Sequence, residues 1–423
     1  MAAQTAAQGG LDVLLIERKT KVASIGRTCV AGLITEPDCD GETVTAEGNR
    51  IIFHRNDFSI KYSGLWKDLK GFYFVSPKGY RIRIEREATY VTRIFNKEVL
   101  LEDLLAEAEK SGVYINNETE AIKVQNIGDK VVVTIRKSGE EKEVRAGYAI
   151  AADGVNSRMV EKLGLNKERK LFGTMVVSSH ILEGVESPYP DAILALVGKG
   201  QAEGCRGSFY FRPSPPKKPQ DSLLWEISYG QPLGEKSPDQ ILDSFIKQGN
   251  FSSWFNHAKL VRKTHAVLNF RTPIPEPRVG NILVIGDAAS FIEVYVQGAI
   301  MYGYRAAKAI LDEMNGKPGL GEYVDYWKGS YEYFKPGMIE QVLRGYGIQV
   351  LDDSDLDYLF SLTDSKSYKG YYNEFSFPVV IQHALAAEVP RIMKERPALI
   401  QKIQNLFEEA SAEEALLISK DGR

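Results

Sequence analysis

Three short segments of this 423-residue chain carry residues whose types and spacing could do chemistry. The first is Asn281 to Ala289, reading Asn-Ile-Leu-Val-Ile-Gly-Asp-Ala-Ala. Its apolar run, Ile282 to Ile285, reads as a strand buried on both faces and ends at Gly286 and Asp287. Ligands of open α/β sheets sit at the carboxyl ends of strands, so Asp287 could accept hydrogen bonds from a hydroxyl-bearing cofactor. The same carboxylate could equally be an N-cap for the helix expected over 298–314. The second segment, Tyr148 to Arg158, is another apolar strand, ending in Ala152-Asp153-Gly154, with Ser157-Arg158 opening a helical stretch to Leu163. An Asp-Gly turn is common and weakly diagnostic by itself. The third is Glu17, which closes the strand expected over 11–16. An acid at that place holds the adenosine ribose in dinucleotide-binding units, whereas a lone charge at a strand end is the plainer reading.

Other chemistry is poorly supported. His54, His180, His257, His265 and His383 are scattered without ligand spacing, so no metal site is expected. Cys29, Cys39 and Cys205 are too few for a disulfide framework and favour a reducing compartment. Lys plus Arg number 53 against 56 Asp plus Glu, a formal charge of -3, which argues against a nucleic-acid binder held by general electrostatics. No apolar run approaches the ~20 residues that span a bilayer, and no signal peptide precedes the first strand.

Stepping outward to the elements, Met1 to Gln8 reads as a helix stopped by Gly9-Gly10. A strand and a Gly-x-Gly-x-x-Gly turn should precede such a helix, so the chain is expected to be N-terminally truncated by ~15 residues of that unit and to retain its cofactor weakly. Val131 to Arg136 with Glu143 to Tyr148, and Phe72 to Val75 with Tyr80 to Ile84, read as hairpins. Ile193 to Val197 followed by Gly198-Lys199-Gly200 superficially resembles a phosphate loop, but a turn between antiparallel strands fits the spacing better. Beyond residue 320, Tyr323, Tyr326, Trp327, Tyr331, Tyr333 and Phe334 recur at helical spacing and predict core packing. Ser411 to Arg423 reads as a charged tail.

The order of Glu17, Arg93 before a helix, Ala152-Asp153-Gly154 with Ser157-Arg158, and Gly286-Asp287-Ala288-Ala289 resembles the para-hydroxybenzoate-hydroxylase-like flavoproteins, and within them the geranylgeranyl reductase family. The likeness covers roughly residues 1–320. It implies an α/β fold: a Rossmann-like FAD-binding domain (1–55, 90–165 and 266–320), an inserted, mostly antiparallel β substrate domain (56–89 and 166–265) and a C-terminal helical region (321–423). It implies FAD, with Glu17 on the adenosine ribose and the Ala121 backbone near the adenine. Arg27-Thr28-Cys29-Val30-Ala31-Gly32 resembles the family's Arg-Cys-x-x-Gly loop with Thr28 inserted, placing Cys29, Val30 and Gly32 along the ribityl chain and ring. Arg93 would approach the middle of the cofactor, Asp153 and Gly154 would lie beside it, and Gly286 and Asp287 would hold the ribityl hydroxyls. Gly298 and Ala299, opening the following helix, would present amides to the pyrimidine edge of the flavin.

Two segments depart from the family. Phe291 to Gln297 replaces its proline and glycine-rich turn, and Ser208-Phe209-Tyr210-Phe211-Arg212-Pro213 replaces a Trp-bearing strand ending in Phe-Pro. The resemblance implies reduction of carbon–carbon double bonds in a hydrophobic, isoprenoid substrate, with NAD(P)H or a ferredoxin-like donor as reductant and Cys29 as the candidate acid. The cysteine usage, charge balance and lack of a long apolar run lead to the expectation of a cytoplasmic protein with no nucleic-acid partner, peripheral membrane contact being left open. A hydroxylase or halogenase of the same superfamily, or a flavoprotein without turnover, are the alternatives.

Overall fold

The computed structural model describes residues 1–233, 236–347 and 351–408, so the Ser411 to Arg423 tail lies outside the described residues. Two parallel strand pairs carry the cofactor-type segments. Leu14–Ile16 pairs with Tyr114–Asn116, and Ala149–Ala151 pairs with Ile282–Val284. Ile282, Leu283 and Val284 are fully buried, as a strand covered on both faces requires. The helix Ala2–Gln8 packs closely on the helix Tyr295–Met314: a side chain at Gly9 would collide with Leu311. Gly10, at φ +88°, turns the chain after that first helix, and Leu11 N–H donates to Ala6 O in the manner of a Schellman cap.

The larger layer is an eight-stranded sheet. Its order is Lys259–Arg271, Leu171–Glu183, Leu224–Pro232, Ser208–Ser214, Ala192–Leu196, Gly71–Val75, Arg81–Glu85 and Ser367–Tyr368. All neighbours are antiparallel except two, Ala192–Leu196 with Gly71–Val75 and Ser367–Tyr368 with Arg81–Glu85. The hairpin at 71–85 and the turn after 196 form as their sequences predict. Ala192–Leu196 is buried at every residue because the sheet is covered on both sides. Leu194 and Leu196 pack with Leu242 and Phe245 of the helix Pro238–Gln248, while Ile193 and Ala195 pack with Leu356, Phe360 and Ile381 of the later helices. Phe377 lies flat on the buried Phe72 ring, with 4.3 Å between centroids and 2° between planes.

The aromatic stretch after residue 320 is core, as helical spacing predicts: Tyr323, Trp327, Tyr331 and Tyr333 are buried. Among the described residues no helix is long and apolar enough to cross a membrane, and no group of His, Cys, Asp and Glu is placed to hold a metal ion.

Candidate functional site

The Ile282–Val284 strand ends in a tight 3-10 turn, Gly286–Ala288. Gly286 has φ +67°, and a side chain added there would meet open space within 4 Å. The turn is held from behind by Arg169, whose guanidinium donates to Thr272 O (2.6 Å), Ser290 O (2.5 Å) and Ala288 O (3.4 Å). Burial, with Arg271 nearby, lowers the Arg169 pKa to about 10, which still leaves it charged.

Asp287 is engaged on both sides. Its Oδ1 accepts from Val294 N–H (3.1 Å), and its Oδ2 accepts from Arg27 Nη2 (2.5 Å). Burial alone would lower the Arg27 pKa, but the Asp287 carboxylate outweighs that and raises it. The pair joins residues 260 apart in sequence and lies beside Gly154, whose added Cβ would stand 3.8 Å from Arg27 Nη1. Thus Gly154, Arg27, Gly286 and Asp287 converge.

The loop from Arg27 to Gly32 is pinned along its length. Thr28 Oγ1 meets Thr264 Oγ1 (3.2 Å) and Ser179 Oγ (3.0 Å) of the large sheet. Cys29 O accepts from Arg212 Nη2 (3.1 Å), and Cys29 Sγ lies 3.2 Å from Lys97 Nζ. Ala31 carries φ +51°, a left-handed conformation that costs a non-glycine residue strain and often marks functional loops. Gly32 pairs with Ile94 in the strand Thr92–Phe95, and Val30 packs against the core between the sheet and the later helices. The Gln297 amide then clamps this loop to the helix, accepting from Ile34 N–H and donating to Ile34 O, both at 2.9 Å. Beside that clamp Thr35 Oγ1 is buried with no partner among the described residues. An orphaned buried hydroxyl is rare unless a ligand or water meets it.

A further group of side chains faces this junction from the 291–295 and 372–374 segments. Glu293 and Glu374 lie deep in the protein and are partly buried. The same holds for Tyr210 and Tyr295. Burial pushes both carboxyls well above the usual carboxylate range; Glu374 raises Glu293 further, and Asp40 raises Glu374. Glu374 Oε1 accepts from Tyr333 Oη at 2.6 Å, and Tyr295 also hydrogen-bonds this carboxyl. A surface cleft of about 280 Å³ lined by Lys70, Tyr73, Glu85, Tyr189 and Asp191 shares no residue with this constellation.

The remaining residues singled out by sequence fall as follows. Glu17 ends the first strand, and its backbone carbonyl accepts from Thr119 N–H (3.0 Å), bringing the Ala121 strand beside it. Glu17 Oε1 takes Lys19 N–H (3.0 Å). Asp153 is a local cap: it accepts from Ser157 Oγ (2.5 Å) and Met159 N–H (3.1 Å) at the start of the helix Arg158–Lys162. Arg93 is drawn away from Asp287, because Asp68 and Ala46 O take its guanidinium and Tyr90 and Trp66 stack on it. The helix expected to open at Gly298 opens at Tyr295 instead, since Asp287 fixes Val294 N–H and Tyr295 turns in at φ +56°. The four amides without an intrahelical partner are then those of Val294, Tyr295, Val296 and Gln297, and both Gly298 and Ala299 fall beyond them. Lys97 and Glu374 drew no notice in the sequence, and Arg212 entered only within the segment replacing a Trp-bearing strand. Glu293 stood there only as part of a segment departing from the family, although a lone acid within Phe-Ile-Glu-Val-Tyr-Val is a usable signal.

Comparison with known proteins places this arrangement. The sequence matches the FAD binding domain family over residues 42–295, more than half of the chain. It is 24% identical to a digeranylgeranylglycerophospholipid reductase of Methanocaldococcus jannaschii, over 96% of this chain and 95% of the relative. It is 25% identical to the enzyme of the same name from Methanosarcina acetivorans, over 73% and 70%. Its fold matches the crystal structure of a geranylgeranyl bacteriochlorophyll reductase-like protein of Thermoplasma acidophilum, with TM-score 0.68, 19% identity, and coverage of 96% and 95%. The chain belongs to the FAD binding domain family and is an FAD-dependent oxidoreductase that groups with the geranylgeranyl reductases.

Proposed function

We propose that the protein reduces carbon–carbon double bonds of a hydrophobic prenyl lipid. The observation that carries this reading is the convergence of Gly154, Arg27, Gly286 and Asp287 on one site, with the buried Glu293 and Glu374 carboxyls beside it. The full-length likeness to reductases of digeranylgeranyl lipids supports it. FAD fits the residues present. The open space at Gly286 leaves room for a ligand, and the orphaned Thr35 hydroxyl is a polar group for it to satisfy. Asp287 would hold ribityl hydroxyls, the loop Cys29 to Gly32 would flank the ring, and the free amides that open the helix at Tyr295 would face its pyrimidine edge. Glu17 and the Ala121 backbone would take the adenosine end.

Bound there in reduced form, FAD supplies a hydride. The chain supplies position, dryness and charge. Gln297 and Arg169 fix the two backbone segments that flank the cofactor seat. Arg27 neutralises Asp287, and the Lys97 ammonium at Cys29 adds positive potential beside it. NAD(P)H or a ferredoxin-like protein would be the electron source. The test is anaerobic: protein saturated with FAD and reduced should be reoxidised by geranylgeranyl lipids, with formation of saturated product. Failure of every prenyl lipid, with substrate-stimulated oxygen uptake on an aromatic compound instead, would overturn the reading in favour of a monooxygenase.

A further inference from the structure

Alkene reduction needs a proton as well as a hydride, and two buried carboxyls beside the site offer a source. Glu293 projects from the short segment between the Gly286–Ala288 turn and the helix Tyr295–Met314. That segment is rigid: Tyr331 Oη accepts from Phe291 N–H and donates to Glu293 O, both at 3.0 Å. The Glu293 carboxyl itself forms no ion pair or hydrogen bond among the described residues, although it lies deep in the protein. The groups that face it are Glu374, Asp287, Arg27, Lys97, Tyr295 and Tyr372. Arg27 is already paired with Asp287, and Lys97 with the Cys29 sulfur. Facing Glu374 are Tyr333, Tyr295, Tyr210, Tyr331, Cys39 and Asp40.

Two buried carboxyls so placed, with no cation paired to either, do not readily both ionise; at least one keeps its proton. The tyrosines around them are held neutral by burial, which raises their pKa values. They therefore act as hydrogen-bond partners of the carboxyls and not as acids at neutral pH. Tyr333 and Tyr295 hold Glu374, leaving Glu293 as the member of the pair with an uncommitted oxygen beside the Arg27–Asp287 end of the site.

Resting on the function proposed above, we propose that Glu293 is the acid that protonates the second carbon of the double bond, with Glu374 as the positioning residue that shares and restores its proton. The balance is simple. One alkene carbon takes a hydride, two electrons and a proton, from the reduced flavin, which is thereby oxidised. The π bond breaks, the other carbon takes H⁺ from the Glu293 carboxyl, and the Glu293 carboxylate regains a proton from Glu374. Glu374 is in turn reprotonated from solvent water, and the buried Asp40 lies near both it and Lys335.

The experiment uses the full chain saturated with FAD, with the flavin spectrum as a check that Glu293→Gln and Glu374→Gln remain folded. Infrared spectroscopy at pH 7 should show a protonated-carboxyl band that Glu293→Gln lacks. Single-turnover reoxidation of the reduced enzyme by a geranylgeranyl lipid should slow by about 100-fold or more in Glu293→Gln, the usual worth of a general acid. Glu293→Asp should restore part of the rate. In Glu374→Gln the pH above which the rate declines should move downward, because removal of a like charge lets Glu293 ionise more easily. An active wild type with an equally active Glu293→Gln, or with no band attributable to Glu293, overturns the proposal alone. A wild type inert toward every prenyl lipid overturns the function and this proposal together.

Discussion

Asp40 shows how single residues set the pH response. It is 5% exposed, and burial raises its pKa to about 7 despite the hydrogen bond from Glu332 N–H (3.0 Å). A carboxyl whose folded pKa lies above its unfolded value of about 3.8 favours folding at low pH, where both states are protonated. That contribution is lost as pH rises from about 4 through about 7, because the folded state must then ionise a buried group. Asp40→Asn keeps the acceptor for Glu332 and removes the ionisation. Its stability should match wild type near pH 4 and exceed it at pH 8 by a few kcal/mol, about 1.4 per pKa unit, in urea titrations at the two pH values. Neither Asp40 nor Glu374 was legible in the sequence, since an acid's environment is made by segments hundreds of residues away. Asp287 was legible because it sits at the end of a readable strand. Its choice between cap and cofactor contact was not, because its partner Arg27 is 260 residues distant.

At the scale of elements, the turn Gly286–Ala288 depends on an arginine that no local pattern announces. Arg169 lies outside every motif, yet it supplies donors to Ala288 O in the turn, Ser290 O just after it and Thr272 O of the neighbouring segment. Arg169→Met, which keeps the stem and loses the donors, should leave three carbonyls unsatisfied and cost about 3–5 kcal/mol, as breaking buried charged networks does. FAD affinity should fall with it, read by fluorescence titration. Strands were easier to read than their partners. The hairpins at 71–85 and 130–146 follow from alternation and turn residues. The opening of the helix Tyr295–Met314 was misplaced by three residues, since Tyr295-Val296-Gln297 lacks a cap signal and its start is set by Asp287.

Taken whole, the molecule is tied together where the later helices meet the large sheet. Phe72 is fully buried between Phe377, Tyr372 and Phe74. Phe72→Ala should cost about 3–5 kcal/mol. If the helices after residue 351 unfold first, denaturation followed by limited proteolysis should show an early cleavage there before the sheet is lost. The α/β class and the helical end were legible from composition and order. The way the ends join was not: the two residues Ser367–Tyr368 form a strand beside Arg81–Glu85, and Asp364 holds Arg81 across 283 positions.

That junction also bears on synthesis. At roughly 5–20 residues per second, the Arg81–Glu85 edge would wait on the order of half a minute on the ribosome before the strand that covers it emerges. An uncovered edge is a site for mispairing with other chains. The alternating charges of Arg81, Arg83 and Glu85 along that edge would guard it during the wait.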